Sequence, residues 1–211
     1  MNLKIIAYCL CAVCTSLNFL NGGEVRKILI KNDIEDLKKY LTTHTFSKED
    51  SNAVYFAETL DAILLLQKHG FPIKGINKTG MNLLMIGVQN GQYDVVSHFL
   101  DIGMPIMHKD FHGQTALHFS SGNLDLKITK LLLEKGAYID AQNNKGVTPL
   151  MQSILNEDLL VFKLLLQSGA NVDLKDCNGM KAIDYLNEPL DYLNKNIIAD
   201  MKNVYRNTLF K

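Results

Sequence analysis

Gly113-Gln114-Thr115-Ala116-Leu117-His118 and Gly146-Val147-Thr148-Pro149-Leu150-Met151 are one phrase written twice, 33 residues apart. Working outward, Gly80 and Gly179 extend that series on either side at the same spacing, and Gly70, Gly103, Gly136 and Gly169 form a second series ten residues upstream. Two interleaved glycine series of this period mark a repeated supersecondary unit. Leu84, Leu117, Leu150 and Ile183 keep the phase, as do Leu100, Leu133 and Leu166. Each unit is therefore expected to bury the same core.

The punctuation has a physical reading. Gly136 and Gly169 follow the leucine-rich stretches Lys130-Leu131-Leu132-Leu133-Glu134-Lys135 and Lys163-Leu164-Leu165-Leu166-Gln167-Ser168. There the chain must leave a helix through a left-handed conformation, which glycine adopts without strain. Thr115 and Thr148 stand where a hydroxyl accepts from free amides of a first helical turn, and Pro149 suits the first helical position. Asp110, Asn143 and Asp176 begin the connecting turns, as side chains that bond their own backbone do.

A 33-residue unit of this kind resembles the ankyrin family, whose motif reads glycine, any residue, threonine, proline, leucine, histidine. The helices that end in Gly136-Ala137 and Gly169-Ala170 resemble the family's second helix. The resemblance implies an all-α solenoid of stacked helix pairs joined by β-hairpin turns, with degenerate caps at both ends. An N-terminal cap is expected over 24–43, with Asp33 as a helix N-cap and Ile34, Leu37, Lys38 and Leu41 as its stripe. A worn repeat follows at 44–76, which keeps Ile63, Leu64, Leu65, Leu66 and Gly70 but has Ser47 in the glycine slot. The clear units are 77–109, 110–142 and 143–175. A C-terminal cap takes 176–207, where Pro189 opens a helix with Leu190, Leu193, Ile197, Met201 and Val204 on one face.

In the 211-residue sequence 22 lysines and arginines balance 22 aspartates and glutamates, so no summed field gathers phosphates or anionic lipid, and nucleic acid is not an expected partner. At the start, Lys4 precedes an apolar run from Ile5 to Val13 and then Cys14-Thr15-Ser16, the layout of a secretory signal over 1–16, its end lying as late as 23. The run is too short for a membrane span. Cleavage near Ser16 and lipidation at Cys14 both remain open. Cys9, Cys11 and Cys14 lie in this leader, which leaves Cys177 as the one thiol of a processed chain. The expected location is periplasmic or secreted, or cytoplasmic if the segment is not a signal.

No catalytic constellation emerges. His108 and His112 have the spacing of paired zinc ligands but fall in a loop, so no metal is expected. In the resemblance His118 is the motif histidine that ties neighbouring units by hydrogen bonds, and it is assigned structure. Cys177 has Lys175 and Lys181 nearby in sequence, a setting that would favour a thiolate. Asn77-Lys78-Thr79 matches the glycosylation acceptor pattern. No nucleotide loop or cofactor motif is present in the sequence.

The resemblance places partner contacts on the turns flanking each glycine. These are Lys78, Thr79 and Met81; Phe111, His112 and Gln114; Asn144, Lys145 and Val147; and Cys177, Asn178 and Met180. Residues 33 apart become lateral neighbours, so Met81, Gln114, Val147 and Met180 are expected to form one largely apolar stripe with Phe111 as an aromatic anchor beside it. The implied function is a monomeric, non-enzymatic protein-binding module, exported, acting as adaptor, inhibitor or immunity-type partner. The alternative is an accessory factor in oxidative or metal stress that uses Cys177 or the histidines directly.

Overall fold

The computed structural model describes residues 24–43, 54–122, 126–187 and 193–209. The expected leader, Ser47, Pro189 and Leu190 lie outside the described residues. The chain forms two compact units that meet in sequence between Ile73 and Lys74.

The first unit contains α1 (Glu24–Ile30), α2 (Ile34–Thr43) and α3 (Leu60–Lys68). Asp33 caps α2 as expected, its Oδ1 accepting from the Asp36 amide at 2.9 Å. Val25, Leu29, Leu37 and Leu41 are buried, whereas Lys38, placed on the stripe by its spacing, is exposed and pairs with Glu35 at 2.6 Å. An ammonium stays in water unless paired, so the helix turns Lys38 outward. α3 packs on α2, burying Ala62, Ile63 and Leu66, while Leu64 of the expected apolar run faces solvent. Within 44–76 the described residues hold one α-helix, α3, preceded by a single 3₁₀ turn at 54–56.

The second unit is a stack of helix pairs: α4 (Leu83–Gln89) with α5 (Tyr93–Asp101), α6 (Ala116–Phe119) with α7 (Leu126–Glu134), α8 (Pro149–Leu155) with α9 (Leu159–Gln167), and α10 (Ala182–Asn187) with α11 (Lys195–Leu209). First helices pack in the order α4, α6, α8, α10, and second helices in the order α5, α7, α9, α11. Local chemistry starts them. The Asn82 side chain accepts from Met85, Thr148 from Met151 and Asp158 from Val161, while Pro149 occupies the first turn of α8. No strand occurs among the described residues; the connections are tight turns.

Leu84, Leu117 and Leu150 are fully buried on the first helices, as their period required. Two parts of the expected core differ. Ile183 is half-buried on α10, which among the described residues packs on one first helix, α8. On the second helices Phe99, Leu132 and Leu165 are fully buried, one position before the series Leu100, Leu133 and Leu166, of which only Leu166 is buried. Runs of leucine satisfy both phases, so the period is legible in them but the inward residue is not.

At the C-terminal end α11 begins at Lys195 and buries Ile198, Met201 and Tyr205, with Ile197 and Val204 half-buried at the flank of that face. The expected stripe is thus rotated about Met201. Glu157, in the loop between α8 and α9, has a left-handed backbone with φ of +57°. Its carboxylate accepts from the amide of Asn194, just before α11, at 2.5 Å.

Val96, Thr129 and Phe162 occupy equivalent core positions, and the Thr129 hydroxyl is fully buried with no hydrogen-bond partner. An unsatisfied buried hydroxyl costs about 1–3 kcal/mol, and valine has the same shape without it. Thr129→Val is therefore expected to raise stability by roughly 1 kcal/mol, read as a higher urea midpoint at unchanged slope. A lower midpoint would show that the hydroxyl has a partner after all.

Candidate functional site

The surface expected to meet a partner is built from four turns, each held by its first side chain. The Asp110 Oδ1 accepts from the amides of His112 and Gln114 at 2.9 and 2.7 Å. The Asn143 Oδ1 does the same for Lys145 and Val147, and the Asp176 Oδ1 for Asn178 and Met180. Asn77 is the fourth member, accepting from Thr79 and Met81 at 2.9 Å each. Sequence reasoning took it only as a glycosylation pattern, although its 33-residue spacing from Asp110 was a sufficient signal. Each of these residues also donates a backbone bond across its own turn, from its amide to the carbonyl four positions on. At Asp176 burial raises the carboxyl pKa, but bonds from the Tyr185 hydroxyl and the Met180 and Asn178 amides outweigh it and hold the group below its ordinary value.

Adjacent turns are joined by backbone. Phe111 donates to the Thr79 carbonyl at 3.1 Å, Asn144 to His112 at 2.9 Å and Cys177 to Lys145 at 2.9 Å. This approach leaves no room for a side chain on the turn glycine. A Cβ on Gly113 would lie 2.7 Å from the Asn144 nitrogen, and one on Gly146 would lie 2.8 Å from the Asp176 Cα. Gly136, which ends α7 at φ of +87°, would meet nothing within 4 Å. Gly80, Gly113 and Gly146 thus have a second cause, the neighbouring turn, that Gly136 lacks. Gly136→Ala is expected to cost about 1–2 kcal/mol for the left-handed backbone alone. Gly113→Ala carries that cost plus the collision with the next turn, and equal losses for the two variants in chemical denaturation would refute this distinction.

His118 links one unit to the next. Its Nδ1 accepts from the Thr115 amide at 3.1 Å, so Nε2 carries the proton and donates to the Val147 carbonyl at 3.0 Å. Burial is the main cause that pulls its pKa below the ordinary imidazole value, with the bond to Val147 opposing. Protonation would also set an N–H against the Thr115 amide. The folded chain therefore binds this proton less readily than the unfolded one. Stability from this group is complete above the unfolded value of about 6.5 and is lost as pH falls from there toward the lowered folded value. The slope reaches at most about 1.4 kcal/mol per pH unit. His118→Gln should be less stable at neutral pH yet flatter between about pH 6.5 and 5, as measured by urea midpoints; a parallel pair of curves would remove His118 from the acid response.

The structure sorts the expected contact residues. Lys78, Thr79, His112, Asn144, Lys145, Cys177 and Asn178 are exposed, Phe111 is 62% exposed, and Gln114 and Met180 are half-buried. Met81 and Val147 are 7% and 6% exposed, which removes them from the available surface and breaks the expected apolar stripe. Each directly precedes a helix N-cap, Asn82 or Thr148, and an apolar residue there folds back against the helix it introduces. Phe111 stays out, its backbone fixed on both sides: its amide binds Thr79, and its carbonyl accepts from the Asn144 Nδ2 at 2.9 Å. His108 is tied by Nε2 to the Gly80 carbonyl at 2.7 Å, and the Cys177 sulfur lies 3.7 Å from the Asn144 carbonyl oxygen. Among the described residues no three His, Cys, Asp or Glu side chains gather as metal ligands. The same turns also expose Ile76, Lys109 and Lys175, which the expected contact set omitted.

Residues 84–176 match the family model for ankyrin repeats, in three copies. A comparison with the curated proteins gives no match.

Proposed function

We propose that this ankyrin-repeat protein, whose repeats form a protein–protein interaction module, holds its partner across the four turns of the second unit and acts outside the cytoplasm as an adaptor, inhibitor or immunity-type partner. The observation that carries the reading is Phe111. A large aromatic side chain stands mostly in water on a backbone pinned from both neighbouring turns, so little conformational freedom is lost when a partner covers it. The flanking Thr79, His112, Asn144 and Lys145 supply a polar rim of the kind that surrounds such anchors. The case for export rests on the sequence around Lys4, the apolar run to Val13 and the small residues after it.

Immobilised full-length chain should capture its partner from extracts of the source cells. Phe111→Ser, at an exposed site, should keep the fold and weaken capture by about 2 kcal/mol or more, the scale of an interface anchor. Capture indifferent to both Phe111→Ser and Lys145→Ser, at unchanged circular dichroism, would move the binding surface elsewhere. For export, a C-terminally tagged chain should be recovered outside the cytoplasm and shortened at its N-terminus; a full-length cytoplasmic chain would end that part of the proposal.

A further inference from the structure

The junctions between turns repeat one set of contacts. At each junction an amide of the later turn donates to a carbonyl of the earlier one: Phe111 to Thr79 at 3.1 Å, and Asn144 to His112 and Cys177 to Lys145 at 2.9 Å each. Side chains of the earlier turn also reach forward, the Lys109 Nζ donating to the Gln142 carbonyl and the Gln142 Nε2 to the Lys175 carbonyl, both at 2.9 Å. The glycine beneath each junction is bare because the next backbone lies against it: a Cβ on Gly80, Gly113 or Gly146 would come to 2.7, 2.7 or 2.8 Å from that backbone. In the last turn, 175–180, the same three elements recur with nothing stacked on them. The Asn178 carbonyl, equivalent to those of Thr79, His112 and Lys145, accepts no bond among the described residues. Lys175, equivalent to Lys109 and Gln142, is exposed, and its ammonium has no partner among the described residues. A Cβ on Gly179 would meet nothing within 4 Å, yet this glycine keeps φ of +79° and its turn keeps both Asp176 bonds. α11 covers the last helices, packing on α9 and α10, but leaves Cys177, Asn178 and Gly179 exposed.

We infer that this edge of the turn row docks a turn of another protein by its backbone. The occupant is specified by what the junctions already hold. It presents a carbonyl at the place of those of Gln142 and Lys175, to accept from the Lys175 ammonium. Two residues on, it presents an amide at the place of those of Asn144 and Cys177, to donate to the Asn178 carbonyl. Groups of that spacing point to one side of an extended chain. Between them falls the residue at the place of Asn143 and Asp176, so an aspartate or asparagine that opens its own turn fits, with a glycine three positions later. The bare Gly179 lets that backbone come as close as the junctions do. A row of backbone groups that ends unpaired is a template for another chain, and residues 175–180 include no proline to interrupt it. In this chain's own row the amides of Phe111, Asn144 and Cys177 are already donated, which favours another protein over a second copy. The docking edge lies two turns beyond Phe111 and stands whether or not that residue anchors a partner.

The test selects phage-displayed, disulfide-closed peptide loops on the immobilised full-length chain and measures the selected loops, as synthetic peptides, on Gly179→Asn, Lys175→Met and Phe111→Ser. Asparagine tolerates the left-handed backbone, so Gly179→Asn keeps the turn while placing a side chain in the path of the occupant. Lys175→Met removes the forward donor at an exposed site whose ammonium the fold does not use. The expected pool is rich in aspartate or asparagine followed three positions later by glycine. Its members should lose about tenfold or more in affinity on Gly179→Asn and about threefold or more on Lys175→Met, and bind Phe111→Ser unchanged. Loops that bind Gly179→Asn and Lys175→Met as well as the unaltered chain, or an empty selection, would overturn the docking edge. Loops lost only on Phe111→Ser would overturn it too and leave the proposed binding face standing. Self-association of the chain in sedimentation, abolished by Gly179→Asn, would replace the other protein by a second copy.

Discussion

The close approach of neighbouring turns is the constraint on which the second unit depends. One backbone bond per junction, such as Asn144 to His112, brings the next turn so near that the glycine beneath it can carry no side chain. Glycine at 80, 113 and 146 is thereby fixed twice, by positive φ and by the neighbour above it. Once the turns are in register the helices that follow are in register too, and Leu84, Leu117 and Leu150 fall into one buried line. The His118 bridge to Val147 reinforces that alignment from inside the stack.

The same geometry explains how binding and folding share a small element. Each turn has an inward duty, met by the side chain of Asn77, Asp110, Asn143 or Asp176, and an outward one, left to the next two residues. Variation outside therefore costs the fold little: Lys78, Phe111, Asn144 and Cys177 occupy equivalent places with four unrelated side chains. Surface chemistry is free to change while the scaffold stays fixed, a separation that stacked repeats allow because each unit contacts only its neighbours.

Much of this was legible in the sequence because glycine, proline and cap residues act through the backbone, whose demands are local. Gly136, Thr148 and Pro149 stand where their chemistry said they would. The inward phase of Leu132 against Leu133 was not legible, since two adjacent leucines present the same hydropathy and only packing chooses between them. On the candidate surface, Phe111, Lys145 and Asn178 were placed correctly in the open, but Met81 and Val147 were not. Their burial follows from the N-caps behind them, a coupling between turn and helix that counting from the glycine overlooks.

Glu157 shows what such a fold does at its limit. A glutamate in a left-handed conformation stores about 1–2 kcal/mol of backbone strain, a place where Gly91, two units earlier, sits at ease. Its carboxylate recovers that strain only while it grips the amide ahead of α11. The loop and the helix α11 are consequently clasped: loosening either one makes the other's conformation less favourable.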